Sequence, residues 1–359
     1  MKIGVTGLVP KASVLLAAFL AFVLSGKPQQ TEDRFSRDST TLRVCFYNLE
    51  NFFDYEHNPQ KNDADFTPEG KYHWTKTRYG TKVNNIAKVF IAMGGGISPE
   101  IIGVCEIENE KAISDLLYRS PLKSQGYRYV HYPTPDRRGI GISLFYKAKN
   151  FEVVYSKAIP IVDSTNAAFQ TRDILYVKGL WTDRCSDTLH LFVNHFPSRY
   201  GGYAVSMGKR VLAAKTLRSA VDSILWIDGK AKILIMGDFN DYPYDENIVK
   251  YLQVPYQRNK NDTATFVNTM FSYFSKNNVG THKYAGHWGI LDQIIVSPAL
   301  YFSTSGLRTK GNGVIFDIDF LLEKDASNMG VKPFRTYSGF SYKGGFSDHL
   351  PVFIDLICY

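Results

Sequence analysis

The chain has 359 residues, of which 44% are hydrophobic and 21% are charged. This globular composition excludes a collagen, a coiled coil and a largely disordered chain, and the length fits two domains or one large α/β domain. Lys and Arg outnumber Asp and Glu by 42 to 34, which gives a net charge of +8. A positive excess of this size is a weak indication of anionic partners such as phosphates.

The N-terminal segment predicts export. Lys2 and Lys11 precede thirteen residues, Ala12 to Leu24, that are apolar except for one serine. An apolar run of this length is too short for a stable membrane span and is typical of a secretory signal peptide. We therefore predict a signal peptide over residues 1–25 and a secreted or periplasmic location. An uncleaved anchor and a buried helix are the alternatives.

The remainder of the chain predicts one domain. Residues 26–40 are polar and predict a linker, whereas no comparable linker and no internal repeat divides residues 41–359. The segment 52–81 is rich in Asp, Asn, Tyr and Pro and is too long for an ordinary connection. Loops of that length are commonly functional.

Short apolar runs predict strands, and apolar residues that recur every three or four positions predict helices. Strands are expected at residues 42–48, 100–105, 140–146, 152–161, 172–181, 189–194, 232–237, 290–297 and 351–357, and helices around 83–90 and 211–225. Some strands follow one another directly and others are separated by helices. This mixture favours two packed, mostly antiparallel sheets covered by helices over a doubly wound parallel sheet.

The four cysteines are Cys45, Cys105, Cys185 and Cys358. An exported chain permits two disulfides, and four cysteines leave three connectivities open. Cys45 and Cys105 lie in apolar strand-like runs, where small buried thiols are common. No spacing of His and Cys suggests zinc, so the thiols are expected to be mainly structural.

Six predicted strands finish in, or lie against, residues that bind metals or carry protons. A single polar residue at a strand end is commonly a turn or a cap, but six in one chain need another explanation. Asp292 lies between Leu291 and an Ile-Ile-Val run, so its carboxylate needs a buried partner, for which a histidine is the natural candidate. The residues are Asn48, Glu50, Glu106, Asn194, His195, Asp238, Asn240, Asp292, Asp348 and His349.

In this order the residues resemble the motifs of the endonuclease/exonuclease/phosphatase superfamily, which includes pancreatic-type deoxyribonucleases and abasic-site endonucleases. The matching segments are N-x-E at Asn48–Glu50, the strand-end Glu106, N-H at Asn194–His195, G-D-F-N at Gly237–Asn240, L-D-x-I at Leu291–Ile294 and S-D-H at Ser347–His349. The chain is most similar to bacterial exported nuclease-like proteins. Shared segments are N-L-E-N-x-F-D from Asn48, F-T-P-x-G from Phe66, N-H-x-P-S-R from Asn194 and G-x-W-G-x-L-D from Gly286.

The resemblance implies a four-layer α/β sandwich with the site at one edge of two facing sheets. It implies that Glu106 is the main ligand of Mg²⁺ or Mn²⁺, helped by Asn48, Glu50 and Asp348. Carboxylate and carboxamide oxygens suit these hard cations, and an incomplete protein shell leaves positions for phosphate and water.

The resemblance also implies the catalytic roles. His349 would be the general base, oriented by Asp292, which fixes the tautomer and favours the imidazolium. His195 would donate a hydrogen bond or a proton at the phosphate, and Asp238 and Asn240 would align water or leaving group and contact that phosphate. By its spacing from His195, Arg199 could clamp a phosphate, although a solvated surface charge is the alternative reading.

The function expected from these residues is a secreted Mg²⁺-dependent phosphodiesterase that hydrolyses DNA or RNA. Sphingomyelinases and inositol-polyphosphate phosphatases share the scaffold, so they remain alternatives. Gln293 replaces the Arg that such phosphatases typically carry, and the four Trp are scattered rather than paired for membrane docking, so nucleic acid is favoured. A non-catalytic binding protein is the more remote alternative. No protein partner is predicted, and the oligomeric state is left open.

Overall fold

The computed structural model describes residues 35, 40–166, 168–256, 262–276 and 278–359. In chain order, its strands are β1 Leu42–Phe52, β2 Ile101–Ile107, β3 Tyr127–His131, β4 Gly141–Lys147, β5 Phe151–Ile159, β6 Ile174–Trp181, β7 Asp187–His195, β8 Ile233–Asp238, β9 Val267–Asn268, β10 His282–Tyr284, β11 His287–Gly289, β12 Asp292–Val296, β13 Leu307–Thr309, β14 Val314–Ile315, β15 Leu322–Lys324, β16 Val331–Pro333, β17 Tyr337–Ser338, β18 Ser341–Tyr342 and β19 Val352–Cys358. The helices are α1 Lys76–Met93, α2 Glu110–Tyr118, α3 Tyr203–Ile227 and α4 Pro298–Tyr301, with 3-10 turns at Ala64–Phe66, Pro121–Ser124, Thr269–Tyr273 and Asp319–Leu321 and a π-helical turn at Asn247–Tyr251.

Most of these strands belong to two large sheets. The first sheet has the order β13–β19–β1–β2–β4–β3, with β14 also paired to β19, and the second has the order β5–β6–β7–β8–β12–β9. All pairs are antiparallel except one in each sheet, β1–β2 in the first and β7–β8 in the second. The predicted pair of mostly antiparallel sheets is therefore confirmed.

The sheets pack against each other over an apolar interface. A Cβ added at Gly103, in the middle of β2, would lie 2.8 Å from the Met236 sulfur of β8. A side chain at this position would therefore displace the Met236 side chain of the facing sheet. Interdigitation of this kind is how two sheet faces bury a common core.

The long helices cover the outer faces. Helix α1 begins at the cap Thr75, whose hydroxyl accepts from Arg78 N, and its Phe90 ring lies 6.3 Å from the Tyr47 ring of β1. Helix α3 buries Leu217 and Val221 in one cluster with residues of β6, β7 and β8. The layers are therefore helix, sheet, sheet and helix, as the predicted four-layer α/β sandwich requires.

Two cysteines form a disulfide and two are buried thiols. Cys185, between β6 and β7, is bonded to Cys358 at the end of β19, with a Cα–Cα distance of 5.9 Å. Cys45 and Cys105 are free and buried within β1 and β2. The bond joins the second sheet to the last strand of the first sheet.

The predicted signal peptide 1–25 and nearly all of the predicted linker 26–40 lie outside the described residues, so both remain predictions. Residues 37–359 form one compact unit. Within the described part of the chain, no helix has both the length and the apolar character needed to cross a bilayer.

Candidate active site

The site lies where the two parallel strand pairs end. Strands β1 and β2 run in the same direction in one sheet, and β7 and β8 do so in the facing sheet, so their carboxyl ends meet at one edge of the sandwich. β12 begins at that edge with Asp292 opposite Asp238, and His349 lies just before β19. This topology brings together residues that are up to 301 positions apart in sequence (349 − 48).

The backbone leaves the strands there in an uncommon conformation. Glu50, Asn51, Glu106 and Asn240 have φ values of 50°, 49°, 60° and 50°, in the left-handed region that non-glycine residues seldom occupy. The pairing of β1 with β2 also shifts register after Asn48. Such strain persists where the surrounding structure holds it and is concentrated at functional sites, so these turns mark the edge as a candidate site.

His349 and Asp292 form a buried pair. The His349 Nδ1 lies 2.7 Å from Asp292 Oδ2, and Asp292 has no exposed surface. Burial alone would lower the pKa of His349, but the charges of Asp292 and Asp238 outweigh it and raise that pKa well above its usual value. The pair therefore fixes the orientation of the ring and stabilises the imidazolium, the form that His349 takes once it has accepted a proton.

Asp238 occupies the centre of the cluster. Its Oδ2 accepts a hydrogen bond from Asn48 Nδ2 at 3.1 Å and its Oδ1 accepts one from Asn240 N at 2.9 Å. The Nε2 atoms of His195 and His349 lie 3.6 and 3.9 Å from Asp238 Oδ2. Burial raises the pKa of this carboxyl to about 6, with His349 opposing the rise.

His195 is held in a different electrostatic environment. Burial, followed by the charges of Arg172 and Arg138, lowers its pKa well below the usual value. Arg172 is fixed by Asp136 at 3.0 Å and by the Phe196 carbonyl at 2.8 Å. The imidazole is therefore neutral and can donate a hydrogen bond without carrying charge.

Glu106 and Asn48 are suited to hold a divalent cation. Glu106 Oε2 accepts a hydrogen bond from Asn51 N at 2.7 Å, whereas its Oε1 has no such bond among the described residues and lies 3.8 Å from His195 Nε2. The side chain is only 14% exposed. A nearly buried carboxylate oxygen without a donor fits Mg²⁺ or Mn²⁺, and the Asn48 amide oxygen, which accepts from Glu50 N at 2.9 Å, is the second candidate ligand.

Glu50 was predicted as a further ligand, but its carboxylate is already occupied. Its Oε1 accepts from Arg335 Nε at 3.0 Å, and its Oε2 accepts from Thr336 N at 2.7 Å. Lys82 Nζ lies 3.9 Å from the same Oε2. Asp348 shares Arg335, whose Nη2 donates to Asp348 Oδ2 at 2.9 Å. Each Glu50 oxygen therefore already accepts a hydrogen bond, and the role of Glu50 as a ligand stays a prediction.

Asn240 and Arg199 are linked to each other. Arg199 Nε donates to the Asn240 carbonyl at 2.7 Å, and its Nη2 lies 2.5 Å from Asp245 Oδ2. The Asn240 side chain donates to the Phe196 carbonyl at 3.0 Å. Arg199 thus positions the turn after β8 and is paired with Asp245, and its predicted contact with a phosphate stays a prediction.

Three residues that sequence patterns did not single out lie at the site. Lys82 is buried in α1, and burial lowers its pKa to about 8 despite the opposing charge of Glu50. Arg335 bridges Glu50 and Asp348. The His282 ring lies 4.7 Å from the His349 ring, and burial lowers its pKa to about 4. None of the three sits in a recognisable motif, and only folding brings them to the edge.

The chain belongs to the Endonuclease/Exonuclease/phosphatase family. The family's sequence profile matches residues 43–357, which include every strand that contributes to the site. Members are hydrolases of phosphodiester or phosphate-ester bonds, so the chain is a hydrolase of this type. No curated protein sequence matches the chain significantly.

Solved structures share the fold at low sequence identity. A family protein from Bacteroides thetaiotaomicron is 16% identical with a TM-score of 0.55, covering 89% of this chain and 98% of its own. A mannosyl-6-phosphatase from the same species is 15% identical with a TM-score of 0.53, covering 88% and 99%. TDP2 from D. rerio, complexed with a single-strand DNA product, is 13% identical with a TM-score of 0.50, covering 89% and 99%.

Proposed function

We propose that the protein is an exported, Mg²⁺- or Mn²⁺-dependent nuclease that hydrolyses phosphodiester bonds with a water molecule activated by His349. The observation that carries the proposal is the His349–Asp292 pair, 2.7 Å apart and buried, beside a carboxylate and amide pair suited to a cation. A general base, a hard-cation site and neutral hydrogen-bond donors are the groups that phosphodiester hydrolysis needs.

Each of these side chains would have a separate role in hydrolysis. In its neutral form His349 accepts the proton of the attacking water at Nε2, while Nδ1–H stays bonded to Asp292 Oδ2 and Asp292 stabilises the resulting positive charge. His195, neutral and buried, donates a hydrogen bond to a phosphoryl oxygen. Asp238 holds Asn48 and the turn at Asn240 in register with both histidines.

Glu106 and Asn48 would hold the divalent cation. When bound, such a cation stabilises negative charge on the phosphoryl oxygens and lowers the pKa of coordinated water. Asp348, already paired with Arg335, would add its second oxygen at the rim. Release of the cation should therefore abolish hydrolysis while leaving the His349–Asp292 hydrogen bond in place.

Nucleic acid is the favoured substrate class. The net charge is +8, and one solved relative of this fold carries a single-strand DNA product. Gln293, at the position where inositol phosphatases of this scaffold carry arginine, is buried and donates to the Asp241 carbonyl at 2.8 Å, so it supports the fold rather than facing a substrate.

Export is supported by the apolar N-terminal run and by the Cys185–Cys358 bond, because disulfides persist mainly in oxidising compartments. N-terminal sequencing of the protein recovered outside the cytoplasm tests this. A mature N-terminus near residue 26 is expected, and recovery of the intact leader would contradict export by cleavage.

The function is tested with plasmid DNA, RNA, sphingomyelin and a phosphomonoester in parallel, with Mg²⁺, Mn²⁺ or EDTA. Plasmid or RNA cleavage that EDTA stops, and that His349→Ala lacks, is the expected result. Turnover of the lipid or the monoester alone would keep the site chemistry and overturn the substrate class. Inertness towards every substrate would favour a binding protein instead.

A further inference from the structure

A cavity of about 150 Å³ lies beside the candidate active site. Four aromatic residues line it, together with Glu50, Asn51, Arg335, Thr336 and the exposed Gly339. The rings are those of Phe66, Tyr72, Trp74 and Tyr337. The long segment between β1 and α1 supplies the first three, so this segment lines a space next to the site.

Two of the ring-borne polar groups of this wall are already bonded to the protein. Tyr337 Oη donates to the Tyr72 carbonyl at 2.8 Å, and Trp74 Nε1 donates to the Phe53 carbonyl at 3.1 Å. Both Glu50 oxygens are taken as well. These bonds fix the Tyr337 and Trp74 rings, which offer a ligand their faces. Asn51, whose side chain has no hydrogen bond among the described residues, also lines the cavity.

The rings form a stack that ends at the surface. The ring centroids of Phe53 and Phe66 are 4.4 Å apart, as are those of Phe66 and Tyr72, with interplanar angles of 23° and 19°. Phe340, at the tip of the β17–β18 hairpin, lies 5.3 Å from Tyr72 and is 65% exposed. An exposed ring held by a rigid stack is a platform on which another flat ring can pack.

Arg335 joins this platform to the reaction centre. Its Nε and Nη2 bind Glu50 and Asp348, whereas its Nη1 has no hydrogen bond among the described residues. The side chain is 38% exposed. This guanidinium lies between the candidate active site and the aromatic cavity. Its free nitrogen can therefore contact a phosphate while the group next to that phosphate enters the cavity.

We propose that this cavity is a subsite for one unpaired nucleobase of the strand being cut, with Phe340 stacking at its mouth and Arg335 contacting the adjoining phosphate. The proposal rests on the proposed function. A cavity of about 150 Å³ is large enough for a single ring such as benzene. A base that is paired and stacked in a duplex cannot enter, so the subsite selects single-stranded or frayed substrate.

The test measures binding of a fluorescein-labelled single-stranded oligodeoxynucleotide by anisotropy, in Mg²⁺, to the His349→Ala protein as the parent. Adding Phe340→Ala should weaken binding by about 5-fold to 100-fold, because stacking of one base contributes roughly 1–3 kcal/mol. Adding Phe340→Trp should preserve it. Adding Trp226→Ala is the matched control, since Trp226 is 91% exposed and lies in the last turn of α3, near the start of β8 and away from the site.

An oligonucleotide in which every base is replaced by an abasic residue completes the design. It should bind equally to the parent and to the Phe340→Ala protein. Equal binding of the normal oligonucleotide to both proteins, or an equal loss for both oligonucleotides, would overturn the subsite. A loss seen on phosphatidylcholine vesicles instead would assign the hairpin to a lipid surface and also overturn it.

The proposed function and the proposed subsite can be refuted separately. If the wild-type chain cleaves no nucleic acid, the nuclease proposal falls, and the binding comparison still decides whether the cavity accepts a base. If the wild-type chain cleaves nucleic acid and Phe340→Ala changes neither KM nor the preference for single strands, only the subsite falls.

Discussion

His195 and His349 are a natural pair for comparison, because they flank the same carboxylate. Both are buried, and their Nε2 atoms lie 3.6 and 3.9 Å from Asp238 Oδ2. Yet their pKa values move in opposite directions from the usual value, down for His195 and up for His349. The remaining neighbours make the difference, since His195 faces Arg172 and Arg138, whereas His349 is bonded to Asp292.

The difference teaches that the shared carboxylate alone does not set the charge of the two rings. Burial disfavours the imidazolium at both positions, and only His349 has a second carboxylate in hydrogen-bond contact to reverse that effect. One ring is therefore prepared to take up a proton and the other to stay neutral. Variants at and around the two histidines test this contrast.

Removing the base should have the largest effect. His349→Ala is expected to lower kcat by roughly 10²–10⁴-fold, because the water loses its proton acceptor. Circular dichroism should show an unchanged fold, and the exposed His287→Ala is the matched control with wild-type rates. A His349→Ala protein with normal kcat would end the proposed mechanism.

Removing the partner of that base should have a smaller effect. Asp292→Asn is expected to lower kcat by about 100-fold, because an amide neither stabilises the imidazolium nor fixes the tautomer as a carboxylate does. His195→Gln is the variant to compare with Asp292→Asn, because among the described residues no carboxylate lies within hydrogen-bond distance of His195. If Asp292→Asn left kcat unchanged, the contrast between the two histidines would have no bearing on catalysis.

The two glutamates at the edge should separate in their effect on the cation. Glu106→Gln is expected to raise the Mg²⁺ concentration for half-maximal activity by about 100-fold, because a ligand oxygen loses its charge. Glu50→Gln should raise it by about 10-fold or less, since Glu50 acts through Arg335. Isothermal titration with Mg²⁺ measures both, and a larger effect from Glu50→Gln would reverse the assignment of the main ligand.

A third buried histidine extends the comparison to stability. His190 lies 2.8 Å from the Tyr176 hydroxyl, and burial, with Lys178 second, lowers its pKa to about 4. As pH falls below about 6.5 the unfolded chain binds a proton that the folded chain refuses. Stability is therefore lost between pH 6.5 and 4, by roughly 2 kcal/mol from pH 7 to pH 5.

Urea unfolding at the two pH values checks this prediction, with His190→Gln as the comparison. The variant should lose about 2 kcal/mol less than the wild type over the same interval, because glutamine does not titrate. An identical loss in both proteins would place the pH dependence at other groups.

Much of the fold could be predicted because its long strands coincide with apolar runs in the sequence. The runs at 42–48, 189–194 and 232–237 correspond to β1, β7 and β8, and the resemblance supplied their arrangement in two sheets. Helix α2 was missed although Ala112, Ile113 and Leu116 follow a helical period, because it has only nine residues. Strand β3 was missed because it is short and only Tyr127 of its residues is buried.

At the site, the His349–Asp292 contact was foreseeable because a carboxylate set among Leu and Ile needs a buried partner. The role of Arg335 was not, because it depends on how residues 282–342 fold into short hairpins that show little periodicity. Arg199 shows a further limit. Its spacing after His195 suggested that it binds a phosphate, and only the structure shows that its Nη2 is paired with Asp245.

The pairing of parallel strands at the site edge has a consequence for the timing of synthesis. Asn48 and Glu106 are made early, but the ring that faces them comes 301 and 243 positions later (349 − 48 and 349 − 106). If His349 is the general base proposed above, a chain still being synthesised has the predicted cation ligands Asn48 and Glu106 but lacks the base until residue 349 has been added. Hydrolysis by that mechanism then requires β19 to have paired with β1.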